Sequence, residues 1–452
     1  MGFPGELEGL IARSFQPEYA RRAFERFDSA TVERISSDAE LATRAVALFS
    51  ASRSLGLAAA RDPSALDALT DSTYPLTFSE PTSSETLRRR RIATAAALDN
   101  SPAALRRFKH AEMMRIAARD LTRTAPLEVI SQEVALLASE CLTTALEIAR
   151  ADTDTPDLPF TIIGMGKLGG RELNYSSDVD VMFVHEGDLD AAQKLGRAII
   201  RIMQDQLDDG IVFRTDADLR PEGRAGALSR TIEGYAAYYE RWAEAWEYQA
   251  LLKADVVAGS IDLGAAFCDM TGGILWSAAL PNDALRTLRH MKSRSEQQVK
   301  TKGQLDRDVK RGIGGIRDVE FSIQMLQLVH GRSDAALRSP TSLVALEALR
   351  DGKYLTHNDA STFRESYIFL REVEHRVQLV DEAQTHLIPE HDEDRELLAR
   401  TMGYLDHGSN RALNQFDRDH AGIRAKVRTA HERAFFAPLL DALIGRSALG
   451  SE

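Results

Sequence analysis

Residues 160–184 abandon the helical periodicity on either side of them and alternate instead. Phe160-Thr161-Ile162-Ile163 and Val179-Asp180-Val181-Met182-Phe183-Val184 read as strands, with Gly164-Met165-Gly166-Lys167-Leu168-Gly169-Gly170 between them. That glycine-rich stretch predicts a turn and a short helical segment before the second strand. Strand side chains alternate faces, so Asp178 and Asp180 project together while Val179, Val181 and Phe183 face the other way. Two neighbouring carboxylates repel unless a cation lies between them. Hard oxygen ligands of this kind suit Mg²⁺, which bridges protein carboxylates to substrate phosphates.

The chain of 452 residues is long enough for two or three domains. Only 14 prolines interrupt a sequence rich in alanine, leucine, arginine and glutamate, which predicts a mostly helical protein. A formal net charge of -12 argues against bulk attraction to nucleic acid or an anionic membrane. Cys141 and Cys268 are too few for a disulfide framework or a zinc site and read as reduced core thiols. The start, Met1-Gly2-Phe3-Pro4-Gly5-Glu6, lacks a signal-peptide pattern, and no run of about 20 apolar residues is evident. A cytoplasmic protein is expected.

Ser37-Asp38-Ala39-Glu40 has capping-box spacing, and a helix is predicted from Ser131 to Arg150. The polar segment Asp152 to Asp157 with Pro156 marks a boundary. After it come the strands, a helix from Leu189 to Leu207, and a third strand over Ile211–Arg220. Further on, Phe363, Tyr367, Leu370, Val373, Val377 and Val380 mark a long helix, and the tail from Gly445 reads as frayed. The expected organisation is a helical region over 1–155, an α/β core over 156–260 and a helical region over 261–452. The fold class is α+β and predominantly helical.

Phosphoryl or nucleotidyl transfer needs clustered carboxylates, backbone that approaches phosphates, and cations for developing charge. Asp178 and Asp180 supply the first. Gly164, Gly166, Gly169 and Gly170 allow close approach and turns of positive φ. Lys167 and Arg171 can offset phosphate charge, and Ser176 and Ser177 offer hydroxyls. The same glycines fit a dinucleotide-binding template, but two acids follow about ten residues on, too soon for the crossover helix that template requires. Asp216 is the candidate third carboxylate. Asp218 shares its expected strand face and competes for the role, while a salt bridge from Asp216 to Arg214 or Arg220 is the structural alternative. Arg220 could instead hold a phosphate.

Trp242, Trp246, Glu247, Tyr248 and Lys253 are expected on one helix, with the aromatic rings in the core and Lys253 either a phosphate ligand or an ion-pair partner. Gly312-Ile313-Gly314-Gly315-Ile316-Arg317-Asp318 predicts a turn into a helix. It reads equally as a phosphate site or as a structural turn with acids against the helix dipole. Arg88-Arg89-Arg90-Arg91 reads as a solvated face, and the histidines show no zinc spacing.

Gly164 to Phe183 resembles the signature of the glutamine synthetase adenylyltransferase/adenylyl-removing enzymes, members of the polymerase-β-like nucleotidyltransferases. Arg214 to Pro221, Trp246-Glu247 to Lys253-Ala254, Gly314 to Phe321, and Phe369-Leu370-Arg371 through Asp381-Glu382 to Leu387-Ile388-Pro389 follow in the family's order. The resemblance implies a polymerase-β-like nucleotidyltransferase unit between helical regions. It implies Asp178, Asp180 and Asp216 as Mg²⁺ ligands, with Gly166, Lys167, Gly169, Gly170, Ser177, Arg220, Lys253 and Arg317 around the nucleotide. Family members carry a pair of such modules, one removing AMP from an adenylylated tyrosine of glutamine synthetase and one attaching it. This chain holds a single Asp-x-Asp module, and Glu172-Leu173-Asn174 and Gly315-Ile316-Arg317-Asp318 resemble the removing half. The implied reaction uses phosphate and yields ADP, with glutamine synthetase as protein substrate and a PII-type signalling protein as regulator. ATP-dependent adenylylation, and an idle module that only binds these partners, are the alternatives.

Overall fold

The computed structural model describes residues 3–70, 101–207, 210–277 and 284–448, so the Arg88–Arg91 run lies outside the described residues. The fold is mainly helical α+β, with a small mixed sheet. The chain forms two compact units, one from Met1–Arg241, Ala254–Met270 and Gln378–Thr385, the other from Trp242–Lys253, Thr271–Val377 and His386–Glu452.

The first unit opens with short helices whose starts are written in the sequence. Asp38, rather than Ser37, caps Ala39–Ala51 by accepting from the backbone N–H groups of Glu40 and Leu41. Ser52 caps Arg53–Arg61, and Ser101 caps Pro102–Leu121 with proline in the first turn. The predicted helix at Ser131 is longer, running Leu127–Thr153 and ending where Asp154 turns left-handed. By length and composition this helix could cross a membrane, contrary to the expectation of no such run, but 78% of its apolar window is buried inside the protein. Val134, Leu137, Ala138, Cys141 and Leu142 all lie in the same hydrophobic core as Ile162, Val181 and Phe183 of the sheet. The polar stretch near Asp154 therefore marks a change of secondary structure within one continuous core.

Five strands form the sheet among the described residues: β1 Phe160–Gly164, β2 Val179–His185, β3 Thr215–Asp216, β4 Ser229–Arg230 and β5 Asp255–Gly259. The order is β3-β2-β1-β5, with β4 also on β2. β1 runs antiparallel to β2 and β5, and β2 runs parallel to β3 and β4. The helix expected to reach Leu207 ends at Gln204. The expected strand over Ile211–Arg220 shrinks to two residues, because the Asp216 carboxylate accepts from the Asp218 N–H at 2.7 Å and turns the chain there.

The second unit has its own core, in which Phe363, Tyr367, Leu370 and Val373 of helix His357–Leu379 pack with Phe416, Val427 and Ala430 of helix Ala412–Ala448. Val380 falls beyond the first of these helices, and the second continues past Gly445, where fraying was expected. Helix Ala245–Leu251 is short, so Trp242 and Lys253 both lie outside it and the expected shared face of Trp246 and Lys253 does not form. Trp242 is 74% exposed and is no core residue.

Candidate functional site

Six of the seven residues of β2 are buried, and Asp180 is the exception. Val179, Val181 and Phe183 enter the core as alternation predicts. Met182 and Val184 are buried on the other face, where Tyr235 donates to the Phe183 carbonyl at 3.0 Å and Tyr239 lies against the Met182 sulfur. Asp180 is thus a half-exposed carboxylate at the edge of an apolar sheet. In the parallel β2–β3 ladder it stands in register with Asp216. Neighbouring strands lie about 4.8 Å apart and registered side chains share a face, so the short third strand brings its acid beside the first pair.

Gly166 closes over Asp180. Its φ is +54°, and a Cβ there would stand 2.8 Å from Oδ2 of Asp180. Of the glycines expected to adopt positive φ, Gly166 alone does so; Gly170 has φ -69°, Gly169 ends the short helix Gly166–Gly169, and Arg171 takes φ +54° instead. Gly164 is needed for another reason, since a Cβ there would meet Val257 at 2.6 Å. The Met165 N–H donates to the Asp180 carbonyl at 2.8 Å and fastens the turn to the strand. Lys167 lies in the first turn of that helix, and Ser177 in the loop leading to β2, its N–H directed at the Asn174 carbonyl.

Asp178 precedes the strand and is held from two sides. Arg214 Nε donates to Oδ1 at 2.8 Å and Gln384 Nε2 donates to Oδ2 at 2.6 Å. Arg214 therefore pairs with Asp178 and not with Asp216. Asp218 lies past the end of β3, where it accepts from Arg224 Nε at 2.6 Å, with Arg220 at 3.6 Å, and it lines the same cavity as Asp216. Arg220 also donates to the Ala217 carbonyl at 2.8 Å. The hydrogen bond from Arg224 to Asp218 raises that guanidinium above its usual range. A cavity of about 590 Å³ is lined by Asp178, Asp216 and Asp218 among the acids, with Arg197, Arg214, Arg220 and Arg224 around them.

The loop that carries Asp178 is anchored by Tyr175, whose hydroxyl donates to Asp120 Oδ2 at 2.9 Å. Next to it Asn174 is 1% exposed, and neither polar atom of its amide has a hydrogen-bond partner among the described residues. Leaving such a group unpaired costs about 1–3 kcal/mol.

Lys253 and Arg317 belong to the second unit. Lys253 is buried and donates to Ser342 Oγ at 2.9 Å. Arg317 lies over the Phe321 ring at 5.6 Å, and burial lowers its pKa from the ordinary arginine value. Gln378 and Gln384 escaped the sequence reading. They flank the Asp381-Glu382 match but carry neither charge nor periodicity.

Among the described residues no three His, Cys, Asp or Glu side chains gather around one point. Mg²⁺ does not require that, since it is bound through one or two carboxylates plus substrate phosphates and keeps several waters. Asp180 and Asp216 in register, with the Cβ-free Gly166 against Asp180, are a donor set of the right chemistry.

The fold and site together define a mainly helical α+β protein with paired acids beneath a glycine turn. Residues 42–270 match the glutamate-ammonia ligase adenylyltransferase family, and residues 284–435 match the GlnD PII-uridylyltransferase family. The chain is similar to the bifunctional glutamine synthetase adenylyltransferase/adenylyl-removing enzyme of Streptomyces avermitilis, 43% identical over 352 residues that cover 76% of this chain and 35% of that protein. The protein of the same name from Streptomyces coelicolor is 42% identical over 344 residues, 73% of this chain and 34% of its own length. That from Cutibacterium acnes is 39% identical over 365 residues, 77% and 36% respectively. This chain belongs to the glutamate-ammonia ligase adenylyltransferase family. The matched part spans about a third of the length of these relatives.

Proposed function

We propose that this chain removes AMP from an adenylylated tyrosine of glutamine synthetase by phosphorolysis. The observation that carries the reading is the register of Asp180 with Asp216, with Gly166 against Asp180, in a chain of this family. An oxygen of inorganic phosphate attacks the phosphorus of the tyrosyl-AMP diester, the bond from phosphorus to the tyrosine oxygen breaks, and ADP forms. The departing phenolate, whose pKa is about 10, takes up a proton as tyrosine is restored. Asp180 and Asp216, with Asp178, would hold Mg²⁺, which when bound polarises phosphoryl oxygens and stabilises the leaving oxygen. Gly166 gives the backbone close access to the phosphate, Lys167 and Arg220 offset its charge, and Gly169, Gly170 and Ser177 shape the turn. Little acid–base help is required, and positioning and charge dominate. Lys253 and Arg317 remain nucleotide candidates by the family resemblance alone.

The relatives' names cover both adenylylation and its reversal. Glu172-Leu173-Asn174 and the Gly315–Asp318 segment support removal through their resemblance to that half. The match of residues 284–435 to a PII-uridylyltransferase supports regulation by a PII-type protein, and with these partners we place the chain in the cytoplasm. The test supplies adenylylated synthetase with phosphate, and unmodified synthetase with ATP. ADP release in the first and no pyrophosphate in the second is the expected result; AMP incorporation from ATP reverses the direction.

A further inference from the structure

The segment Gln378–Thr385 belongs to the first unit, although the chain before and after it belongs to the second. Its hydrogen bonds run in two directions. On one side it is pinned to the N-terminal helices. The Arg53 N–H donates to the Val380 carbonyl at 2.8 Å, and Arg53 Nε donates to Asp381 Oδ1 at 2.8 Å. Lys109, from helix Pro102–Leu121, pairs with Glu382 at 3.1 Å. Burial raises the Glu382 carboxyl, but Lys109 and His110 outweigh it and hold the pKa below the ordinary value. Glu382 keeps a left-handed φ of 48°, a conformation costing about 1–2 kcal/mol for a residue with a Cβ. A segment that accepts this cost is over-determined by its surroundings.

On the other side the same segment reaches the site. Gln378 is fully buried; its Oε1 accepts from the Ser176 N–H at 3.0 Å, and its Nε2 donates to the Thr385 carbonyl at 3.2 Å. One side chain thus ties the segment to itself and to the loop that precedes β2. Gln384 then donates to Asp178 Oδ2, opposite the Arg214 donor on Oδ1. The carboxylate stands between two donors, so its plane is set. Each oxygen keeps a second lone pair for another partner. A neutral amide suits this position, because it orients the acid without adding a charge to compete with a cation. Gln384 itself is exposed, so packing does not explain it.

We infer that Gln384 is a positioning residue for Asp178, and that Gln378–Thr385 is a strap aligning this carboxylate from the N-terminal helices. The inference rests on the reading of Asp178 as a Mg²⁺-facing acid. Hydrogen-bonded partners of ligating carboxylates typically contribute about 10–100-fold in metal affinity. The test titrates the full chain with Mn²⁺, followed by electron paramagnetic resonance, in wild type, Gln384→Ala and Arg53→Ala. Gln384→Ala should bind Mn²⁺ at least about tenfold more weakly with its melting temperature unchanged, and Arg53→Ala should show a smaller loss. Wild-type affinity in Gln384→Ala overturns the inference while leaving the metal reading intact. Absence of Mn²⁺ binding in the folded wild type sinks the metal reading instead. Hydrogen exchange then decides the strap. Faster exchange of the 174–178 amides in Gln384→Ala supports it, and unchanged exchange overturns it.

Discussion

Two glycine-rich turns lead into helices in this protein, and their surroundings put them to different uses. In the first unit, Gly166 takes φ +54° and lies over the Asp180 carboxylate, at the start of a helix only four residues long. In the second unit, Gly314 takes φ +71°, and a Cβ there would stand 2.1 Å from the Arg424 carbonyl. Its helix, Ile316–His330, has its own occupant at the N-terminus. Asp318 Oδ2 accepts from the Gly314 N–H at 3.0 Å, and its other oxygen pairs with Lys292 at 3.1 Å. A helix N-terminus attracts anions whatever their source. In the second turn the anion is a side chain of the same helix, and the turn is a structural joint. In the first, the nearest carboxylate is Asp180 of β2, a residue of another element, and it is half-exposed.

The widest separation between the turns comes from removing one acid at each. Asp180→Asn should lower phosphorolysis of adenylylated synthetase by about 10²–10³-fold, the scale of losing a preorganised charge at a reacting phosphoryl group. Its metal-free melting temperature should hold or rise, since one of two neighbouring negative charges is gone. An Asp180→Asn protein that melts far below wild type would make the acid structural. Asp178→Asn differs, because it gives up the Arg214 ion pair. That pair is partly exposed and should cost only about 0.2–1 kcal/mol of stability in urea melts.

Asp318 should behave in the opposite sense. Asp318→Ala strands the buried Lys292 with Glu296 as its remaining partner, and about 3 kcal/mol of stability should disappear from denaturant unfolding. Asp318→Ala with wild-type stability would mean that the second turn is as open as the first. Gly166→Ala sharpens the contrast within the site. The left-handed backbone alone costs an alanine about 1–2 kcal/mol, and the new methyl group must displace the Asp180 carboxylate. Thermal melts and Mn²⁺ affinity should fall together.

Asp216 and Asp218 offer a finer test. Asp216→Asn should reduce turnover at saturating Mg²⁺ by about tenfold or more relative to Asp218→Asn, the order expected if Asp216 alone stands near the reacting phosphoryl group. Equal losses would return Asp218 to the site. A pH dependence should also appear in the second unit. Burial pushes His431 down to about 3 from an ordinary 6.5, with Lys292 and Arg428 adding to it, and His420 falls to about 4. The unfolded chain therefore binds more protons than the folded one below pH 6.5, so stability is full above that value and declines as pH falls toward 3. His431→Gln should flatten the fall of melting temperature with acid, and an unchanged slope would place the titration elsewhere.

Much of this was legible in the chain. The alternation around Val179–Val184 foretold β2 and its buried face, the glycines foretold both turns, and Phe363 to Val377 foretold a long helix. Local rules suffice there, because periodicity and glycine's conformational freedom act over a few residues. They failed at Ile211–Arg220, where alternation promised a full strand and one side-chain hydrogen bond from Asp216 ended it after two residues. They failed also for Trp242 and Lys253, placed on a helix too short to hold them. The residue types needed for a phosphoryl-transfer site, and the neighbourhood of Asp178 and Asp180, are properties of the sequence alone. Asp216 was already the candidate by sequence, but its register with Asp180 came from strand pairing, and the donor on Asp178 came from a segment 206 residues away in the chain. Register and long-range contacts are set by how whole elements pack, and no local pattern encodes which distant residue arrives.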